Sequence, residues 1–435
     1  MMKKNYLFVI ILSMFSWAAC SDDDNGGMLG PEPEKPGVNT KVKISLTQGA
    51  GLTKRTKAPA GIEQPTTEEM EIGIVTIYVF NGGGVLEKIV PVTLGGSDMS
   101  EVIEATTGPH FFYAVVNGEY MMPDVYEGIT TRSTFEQLDI QLFGVEDITT
   151  SISDGGDGFL MSSIGSPEPI ELEVATEDEA NSGIKNHIKI PVGRAAAKVN
   201  LKMNASAANQ IGGLLTDVVY KVKVMPNTSH IVPYYQEGIF KASFHFDDYD
   251  PFNYMENWSY VPEEEPSYSV ENSSWTPLKG NINYLVIKGI FTPDVNVWKN
   301  ADGSPVGSQP AKGTSFWRIA NMHADGYPDT FEPDYYAASP TISLQPDQQI
   351  IAYPGGECYY PFWVFDKSAA IGDPARYNME RNKYYYVSVI SVNGAGVPNE
   401  DEVVPDPLSP LLESTWLKTE IEIKDWTVID VEGGI

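Results

Sequence analysis

The first clear pattern in the chain is a strict alternation. Val42, Ile44 and Leu46 alternate with Lys41, Lys43, Ser45 and Thr47, which predicts a strand with one buried and one solvated face. Gln48-Gly49-Ala50-Gly51 breaks it, and Pro59, Gly61 and Pro65 keep the following stretch irregular. Inside that stretch Lys54-Arg55-Thr56-Lys57 places three basic residues within four. A long exposed loop of this kind is where proteases cut, although a plain basic loop is the simpler reading of these residues alone.

Further on, Glu71 to Phe80 and His110 to Val116 are apolar on both faces, the signature of strands buried inside a sheet. Asn81-Gly82-Gly83-Gly84 and Asn117-Gly118 supply the turns. Gly158 to Ser163 and Ile170 to Val174 continue the series, and Glu177 to Gly183 reads as a polar loop. One short helix is predicted at Thr134 to Leu138, capped by Ser133. A new strand system starts at Arg194 to Met203, with a domain boundary near Gly193. Val218 to Val224, Ile239 to Phe246, Tyr284 to Phe291, Ile342 to Leu344 and Tyr359 to Phe365 extend it. Asp247 to Trp275 and Pro293 to Pro340 are irregular insertions, the second long enough to imply that it packs on the domain or has a function.

The C-terminal residues are the least ordinary part. Tyr384 to Ile390 is β-prone, Val397 to Pro410 is an acidic, Pro-rich linker, and Trp416 to Val431 is β-prone again. Leu417, Ile421 and Ile423 share one face, with Lys418, Glu420 and Glu422 on the other. At Lys424-Asp425 the phase flips, so that Trp426 and Val428 share a face, which predicts a bulge or two short strands in series. Such a run either completes the chain's own sheet or pairs with something else.

With 435 residues the natural expectation is two domains. The resulting division is a leader at 1–19, a flexible tether at 20–38, strand-rich domains at 39–193 and 194–396, and linker plus closing strands at 397–435. Asp+Glu 59 against Lys+Arg 29 leaves a formal charge of -30, which would repel phosphates and argues against a nucleic-acid partner. Tyr 23, Gly 39 and Pro 31, with many Val, Ile and Thr runs, fit an all-β chain cut by turns.

Lys3, Lys4, the apolar run Leu7 to Phe15 and Ser16-Trp17-Ala18-Ala19-Cys20 form a targeting segment. It resembles a bacterial lipoprotein signal, which implies lipidation of Cys20 and an outer-membrane anchor; Trp17 stands where that pattern usually has leucine. Ser21-Asp22-Asp23-Asp24 resembles the surface-export signal of Bacteroidota lipoproteins. Cys358 is then the one cysteine left in the mature chain, so no intrachain disulfide is expected, and its setting predicts a buried, inert thiol.

Catalytic patterns are not recognisable. His110, His187, His230, His245 and His323 have no metal-ligand spacing, and neither a phosphate loop nor a Gly-x-Ser-x-Gly elbow is present. Asp154 to Gly158 and Asp247 to Asp250 lack the spacing of a calcium loop. No pair of carboxylates stands out for glycoside hydrolysis. The reading is a non-enzyme without a cofactor. The aromatics of Tyr249 to Tyr268 and Phe316-Trp317 keep a surface glycan-binding lipoprotein open as the alternative.

Taken in order, these segments resemble the fimbrillin family of Bacteroidales, lipoprotein precursors of polymerised surface fimbriae. The resemblance is carried by the signal at Cys20, Val42 to Lys57, Ile74 to Phe80 with its glycine turn, and Phe112 to Asn117. Phe159 to Ser162, Arg194 to Val199, Arg381-Asn382-Lys383-Tyr384-Tyr385, the acidic linker and the Trp-containing last run complete it. It implies two transthyretin-like β-sandwich domains with a C-terminal donor-strand tail. It further implies export to the outer membrane and cleavage after Arg55 by a trypsin-like, Arg-preferring protease. The strand carrying Val42, Ile44 and Leu46 is then lost as a propeptide (residues 39–55). Leu417, Ile421, Ile423, Trp426 and Val428 of a neighbouring subunit fill the groove, giving a head-to-tail adhesive fimbrium of like or related subunits.

Overall fold

The computed structural model describes residues 37–48, 66–93, 100–164, 167–236, 239–242, 250–274, 276–321, 335–411 and 417–426. Cys20, Arg55 and Val428, with His245 and His323, lie outside them. The fold is all-β, as its alternating and doubly apolar runs predict.

Nine strands fill the N-terminal half: β1 (Asn39–Gln48), β2 (Ile74–Asn81), β3 (Leu86–Thr93), β4 (Ser100–Thr106), β5 (Gly108–Val116), β6 (Asp139–Gln141), β7 (Met161–Ser163), β8 (Ile170–Leu172) and β9 (His187–Arg194). Eight of them form one sheet in the order β3-β2-β5-β7-β9-β1-β4, with β8 also paired to β5. The end strands β3 and β4 come together, so the sheet wraps a core of Val42, Val75, Val79, Phe80, Tyr113 and Phe135. Phe135 comes from a short helix, α1 (Arg132–Glu136). It begins two residues before the sequence expectation because Thr131, not Ser133, accepts the cap hydrogen bond from Thr134 N–H. The polar stretch after Thr176 contains a second helix, α2 (Glu177–Asn181), opened by a Thr176–Glu179 capping box.

β9 ends at Arg194, and β10 (Ala196–Met203) starts the C-terminal half. There one four-stranded sheet runs Pro266–Val270, β10, Lys383–Val392 and Leu417–Asp425. A second holds β11 (Gly213–Lys223), Tyr284–Pro293, Glu357–Trp363 and the short Val261–Pro262. β6 pairs with Thr228–His230 from the C-terminal half, and the residues from Val38 onward form one compact unit.

Several expectations change. Asp247 to Trp275 is not wholly irregular: Tyr254–Met255 pairs with Met225–Pro226, and Pro266–Val270 with β10. The stretch Pro293 to Pro340 is not irregular: Trp298–Lys299, Phe316–Asn321 and Tyr335–Ala337 pair there and join Gln348–Tyr353 in a four-stranded sheet. Phe316 stacks on Tyr353 at 4.7 Å between centroids and lies 6.0 Å from Phe291, which fixes that sheet to the body. Ile342 to Leu344 is not a strand, because pairing begins at Gln348, opposite Asn321. Of Ile239 to Phe246, Ile239–Lys241 pairs with Tyr234–Gln236, and 243–246 lie outside the described residues.

Candidate functional site: the β1 slot and the C-terminal tail

β1 lies between two strands that come much later in the chain. It pairs antiparallel with β4, Lys41 opposite Glu104, and parallel with β9, Lys43 opposite His187 and Ser45 opposite Lys189. Its alternation does what the sequence predicts: Val42, Ile44 and Leu46 are buried, no more than 4% exposed. The opposite face is polar and paired. Lys41 Nζ meets Glu104 at 2.9 Å, Lys43 Nζ donates to the Asn181 carbonyl at 3.2 Å, and Ser45 Oγ lies 2.8 Å from His187 Nε2. Thr40 is buried and bonded, accepting from Ala175 N–H at 2.8 Å and donating to the Glu173 carbonyl at 2.6 Å. β4 pairs with no strand except β1. The segment that links β1 to β2 contains Arg55.

The arginines of the described residues are all engaged. Arg194, Arg318, Arg376 and Arg381 are buried. Arg132 sits over the Phe111 ring at 4.1 Å and bonds Tyr113 and Glu136 at 2.8 and 3.1 Å.

The tail strand Leu417–Asp425 runs antiparallel to Lys383–Val392 at the edge of its own sheet, with a register shift on the partner between Val389 and Ser391. Leu417 is buried, Ile421 and Ile423 pack against the core, and Glu420 and Glu422 face solvent. The tail thus completes the chain's own sheet here, one of the two options open in its pattern. Among the described strands it has one ladder of backbone bonds, with Lys367 Nζ also donating to the Thr419 carbonyl at 2.8 Å.

Trp426 follows the strand and is buried where the two halves meet. Its ring stacks on Tyr268 at 5.8 Å, meets Phe159 edge-on at 6.1 Å and covers the Arg194 guanidinium at 4.4 Å. Burial pushes the Arg194 pKa down to about 10. Arg194 Nε donates to the Glu69 carbonyl at 2.9 Å, but Nη1 and Nη2 have no hydrogen-bond partner, so the attraction of the Glu69 carboxylate and the indole face compensate the charge. The Glu69 carboxylate, also buried, meets Lys198 Nζ at 2.8 Å and accepts from the Tyr268 hydroxyl at 2.7 Å. Asn382 ties the junction to the tail. At φ 56, its carbonyl accepts from Trp426 N–H at 3.0 Å, and its side chain accepts from Arg194 N–H at 3.2 Å. A Cβ on Gly193 would lie 2.8 Å from Asn382 Cγ, so that approach requires glycine. The structure thus joins Arg194 to Val199 with Arg381 to Tyr385, two segments quoted separately from the sequence. Glu69 was missed. Its signal was the local Thr66-Thr67-Glu68-Glu69 box, in which Thr66 N–H donates to Glu69 Oε2 at 3.0 Å and Glu69 N–H to Thr66 Oγ1 at 3.3 Å.

The acidic Pro-rich stretch is not a free linker. Val397 and Tyr359 exchange backbone bonds of 2.9 and 2.8 Å, Val403 is buried, and Lys279 N–H donates to the Ser409 carbonyl at 3.0 Å. Glu400 anchors it, meeting Lys221 at 2.8 Å, Lys223 at 2.7 Å and the Tyr260 hydroxyl at 2.7 Å. Burial pushes the Glu400 carboxyl up, but the hydrogen bonds from Lys221, Lys223 and Tyr260 outweigh it and hold the pKa at about 2, from an ordinary 4.5. A depressed pKa stabilises the fold above the ordinary value and ceases to do so as pH falls through about 2. The stability difference between the wild type and Glu400→Gln is therefore expected to be constant above pH 5 and to shrink between pH 4.5 and 2, as read from urea unfolding. A constant difference down to pH 2 would show that this carboxylate does not hold the strap.

Cys358 is fully buried, with its Sγ 3.4 Å from the Tyr360 hydroxyl. Burial pushes its thiol up to about 12, which suits packing rather than nucleophilic chemistry. Among the described residues no group of three or more His, Cys, Asp or Glu side chains could hold a metal ion.

Residues 351–432 match the family model for the C-terminal part of fimbrillin, the type IV major fimbrial subunit protein. No curated protein matches the chain by sequence. Among solved structures, a candidate cell adhesion protein from Parabacteroides distasonis is similar, with TM-score 0.52 and 13% identity over 90% of this chain and 100% of that one. A fimbrilin (FimA) from Porphyromonas gingivalis is also similar, with TM-score 0.50 and 13% identity over 90% and 98%. Residues 351–432 thus carry the signature of the C-terminal part of fimbrillin, on a chain with the fold of these proteins.

Proposed function

We propose that this chain is a structural subunit of a cell-surface fimbrium, made as a lipoprotein precursor and polymerised by exchange of strands after proteolysis. The observation that carries the reading is the position of β1: a strand inserted between β4 and β9, and followed by the segment that holds Arg55. In this reading Cys20 carries the lipid that anchors the precursor to the outer membrane. A trypsin-like, Arg-preferring protease cuts after Arg55, while the other arginines are protected by burial or stacking. β1 departs with Val42, Ile44 and Leu46, β4 loses its strand partner, and an apolar slot opens.

The tail of a neighbouring subunit then fills it. On its own sheet the tail has one ladder; in the slot it would have two, with β4 and β9, which drives the exchange. Leu417, Ile421 and Ile423 would each contribute roughly 1.5–3 kcal/mol on full burial, less what their present packing already supplies. Repeated head to tail without closure, the contact makes a filament. Trp426 and Val428 extend the donor beyond the strand. The strap at 397–411 stays docked while the strand leaves.

The test is direct. The soluble chain from Ser21 is cut with an Arg-specific protease, its new amino terminus is sequenced, and the product is run on a denaturing gel without boiling. We expect one cut after Arg55 and a ladder of resistant oligomers. Both Arg55→Ala and deletion of residues 416–435 should abolish the ladder. A cut product that stays monomeric overturns the reading and moves a surface glycan-binding role to first place.

A further inference from the structure

The slot has a charge pattern on its outer rim, and the tail has one on its solvated face. Beside the outward positions of β1 stand Glu104, opposite Lys41, then His187, opposite Lys43, and Lys189, opposite Ser45. In order, the rim is acidic, neutral to basic, and basic. Glu420 and Glu422 face outward on the tail, and the alternation of the sequence puts Lys418 in the same series: basic, acidic, acidic. The two sequences of charge are complementary when read in the same direction.

We propose that the slot selects the tail of a second copy of this chain in one register. Residues 417, 419, 421 and 423 take the places of Thr40, Val42, Ile44 and Leu46, so that Lys418, Glu420 and Glu422 lie beside Glu104, His187 and Lys189. This rests on the exchange reading above and adds to it the partner and the specificity-determining residues. A slip by one residue turns Lys and Glu into the core, which the period-two geometry forbids. A slip by two toward the C-terminus puts Glu420 beside Glu104 and Lys424 beside Lys189. It also places Asp425 in the slot of Leu46, which is 4% exposed. Like charges across strands repel, and an unpaired carboxylate in an apolar slot is worse. A slip by two the other way moves Ile423 out to the position of Gln48, at the strand end, and loses the contact with Glu104.

The preferred register has two costs. Thr419 brings a hydroxyl to the place of Val42, which is 0% exposed. Leu417 lacks the Thr40 hydroxyl that now accepts from Ala175 N–H. The Glu173 carbonyl keeps its bond from Asn186 Nδ2 at 2.7 Å, so one backbone N–H is left over. Together these are a smaller loss than a buried carboxylate with two repulsive contacts. The charge code also explains why the tail is tolerated at home. There Glu420 and Glu422 lie opposite the uncharged Ser388 and Tyr386, and Glu422 is paired with Lys424 of the tail itself at 2.5 Å.

Cross-linking reads the register. Lys189→Cys is combined in turn with Glu420→Cys, Glu422→Cys or Lys424→Cys in the soluble chain. Lys189, Glu420 and Glu422 are solvent-facing, and Cys358 is buried and serves as a silent control. Each protein is cut, allowed to form ladders and mildly oxidised. Strand neighbours are within disulfide reach, positions two residues away are not. We expect the 189–422 pair to give intermolecular disulfides at least about tenfold faster than the other two. Independently, Lys189→Glu should slow ladder formation, and Glu422→Lys in the same chain should restore it. Ladders that cross-link through 420 or 424 overturn the register and leave the exchange intact. Absence of ladders in every variant and in the wild type overturns both.

Discussion

Methionine in place of Arg381 is expected to lower the unfolding free energy by about 3–5 kcal/mol. The guanidinium sits in a buried pocket and holds both oxygens of Glu271, Nε to Oε2 at 2.6 Å and Nη2 to Oε1 at 2.5 Å. It also donates to Ser229 Oγ at 3.0 Å, to the His230 carbonyl at 2.5 Å and to the Ile231 carbonyl at 3.2 Å. Glu271 is 0% exposed. Removing Arg381 leaves its carboxylate with only Ser229 Oγ–H at 3.2 Å and His230 N–H at 3.3 Å, too few to replace a counter-charge. Replacing both partners, Arg381→Met with Glu271→Met, removes the stranded charge and should recover most of the loss. Urea unfolding of the two variants decides it. A single mutant within 1 kcal/mol of wild type would mean that the pair does not hold Thr228–His230 to Glu271 and the rest of the C-terminal half.

Alanine in place of Trp426 is expected to release the tail without unfolding the body. Trp to Ala in a packed site costs about 3–5 kcal/mol. Here that cost falls on a single edge strand, because the ring's contacts with Tyr268, Phe159 and Arg194 all tie the tail to the junction. At 1.4 kcal/mol per tenfold, the backbone amides of Leu417–Asp425 should exchange with solvent roughly a hundredfold faster or more. Those of β2 and β5, in the other half's sheet, should not change. Leucine at 426 would restore part of the packing but not the attraction of the indole face for the Arg194 cation, so it should fall between the two. Unchanged exchange in Trp426→Ala would mean that the strand ladder alone holds the tail. In the exchange reading, the released variant also polymerises faster once cut.

Local pattern made much of this readable and distance hid the rest. The burial of Val42, Ile44 and Leu46, and the inward face of Leu417, Ile421 and Ile423, follow from period two alone. β3, β4 and β9 did not stand out. Pro91 and Pro191 interrupt two of them, and Glu101 and Glu104 give β4 the look of a solvated loop. Yet β4 and β9 are the two walls of the slot. The strap was read as a free linker because its proline and acid content is what linkers have. Its anchor, Glu400, depends on Lys221 and Lys223, far back in the chain. The nest of Trp426 likewise draws on Glu69, Phe159, Arg194 and Tyr268, residues whose meeting no local periodicity encodes. The processing site at Arg55 and the lipid site at Cys20 rest on motif alone.

The position of β1 also sets the order of events in time. Its ladder to β4 spans 63 residues of chain, from Lys41 to Glu104, and its contact with β9 spans 142, from Ser45 to His187. Loops of that length close late, and sheets built from such distant pairs fold slowly. β1 is made first, and must wait for β9 before it has both neighbours. In the exchange reading, a chain from which β1 has been cut has lost the strand that held that position, so maturation would be a ratchet. The precursor can fold, and be unfolded and folded again. The cut subunit has one opportunity: the shape it inherited persists only while a strand from another molecule arrives faster than the sheet comes apart.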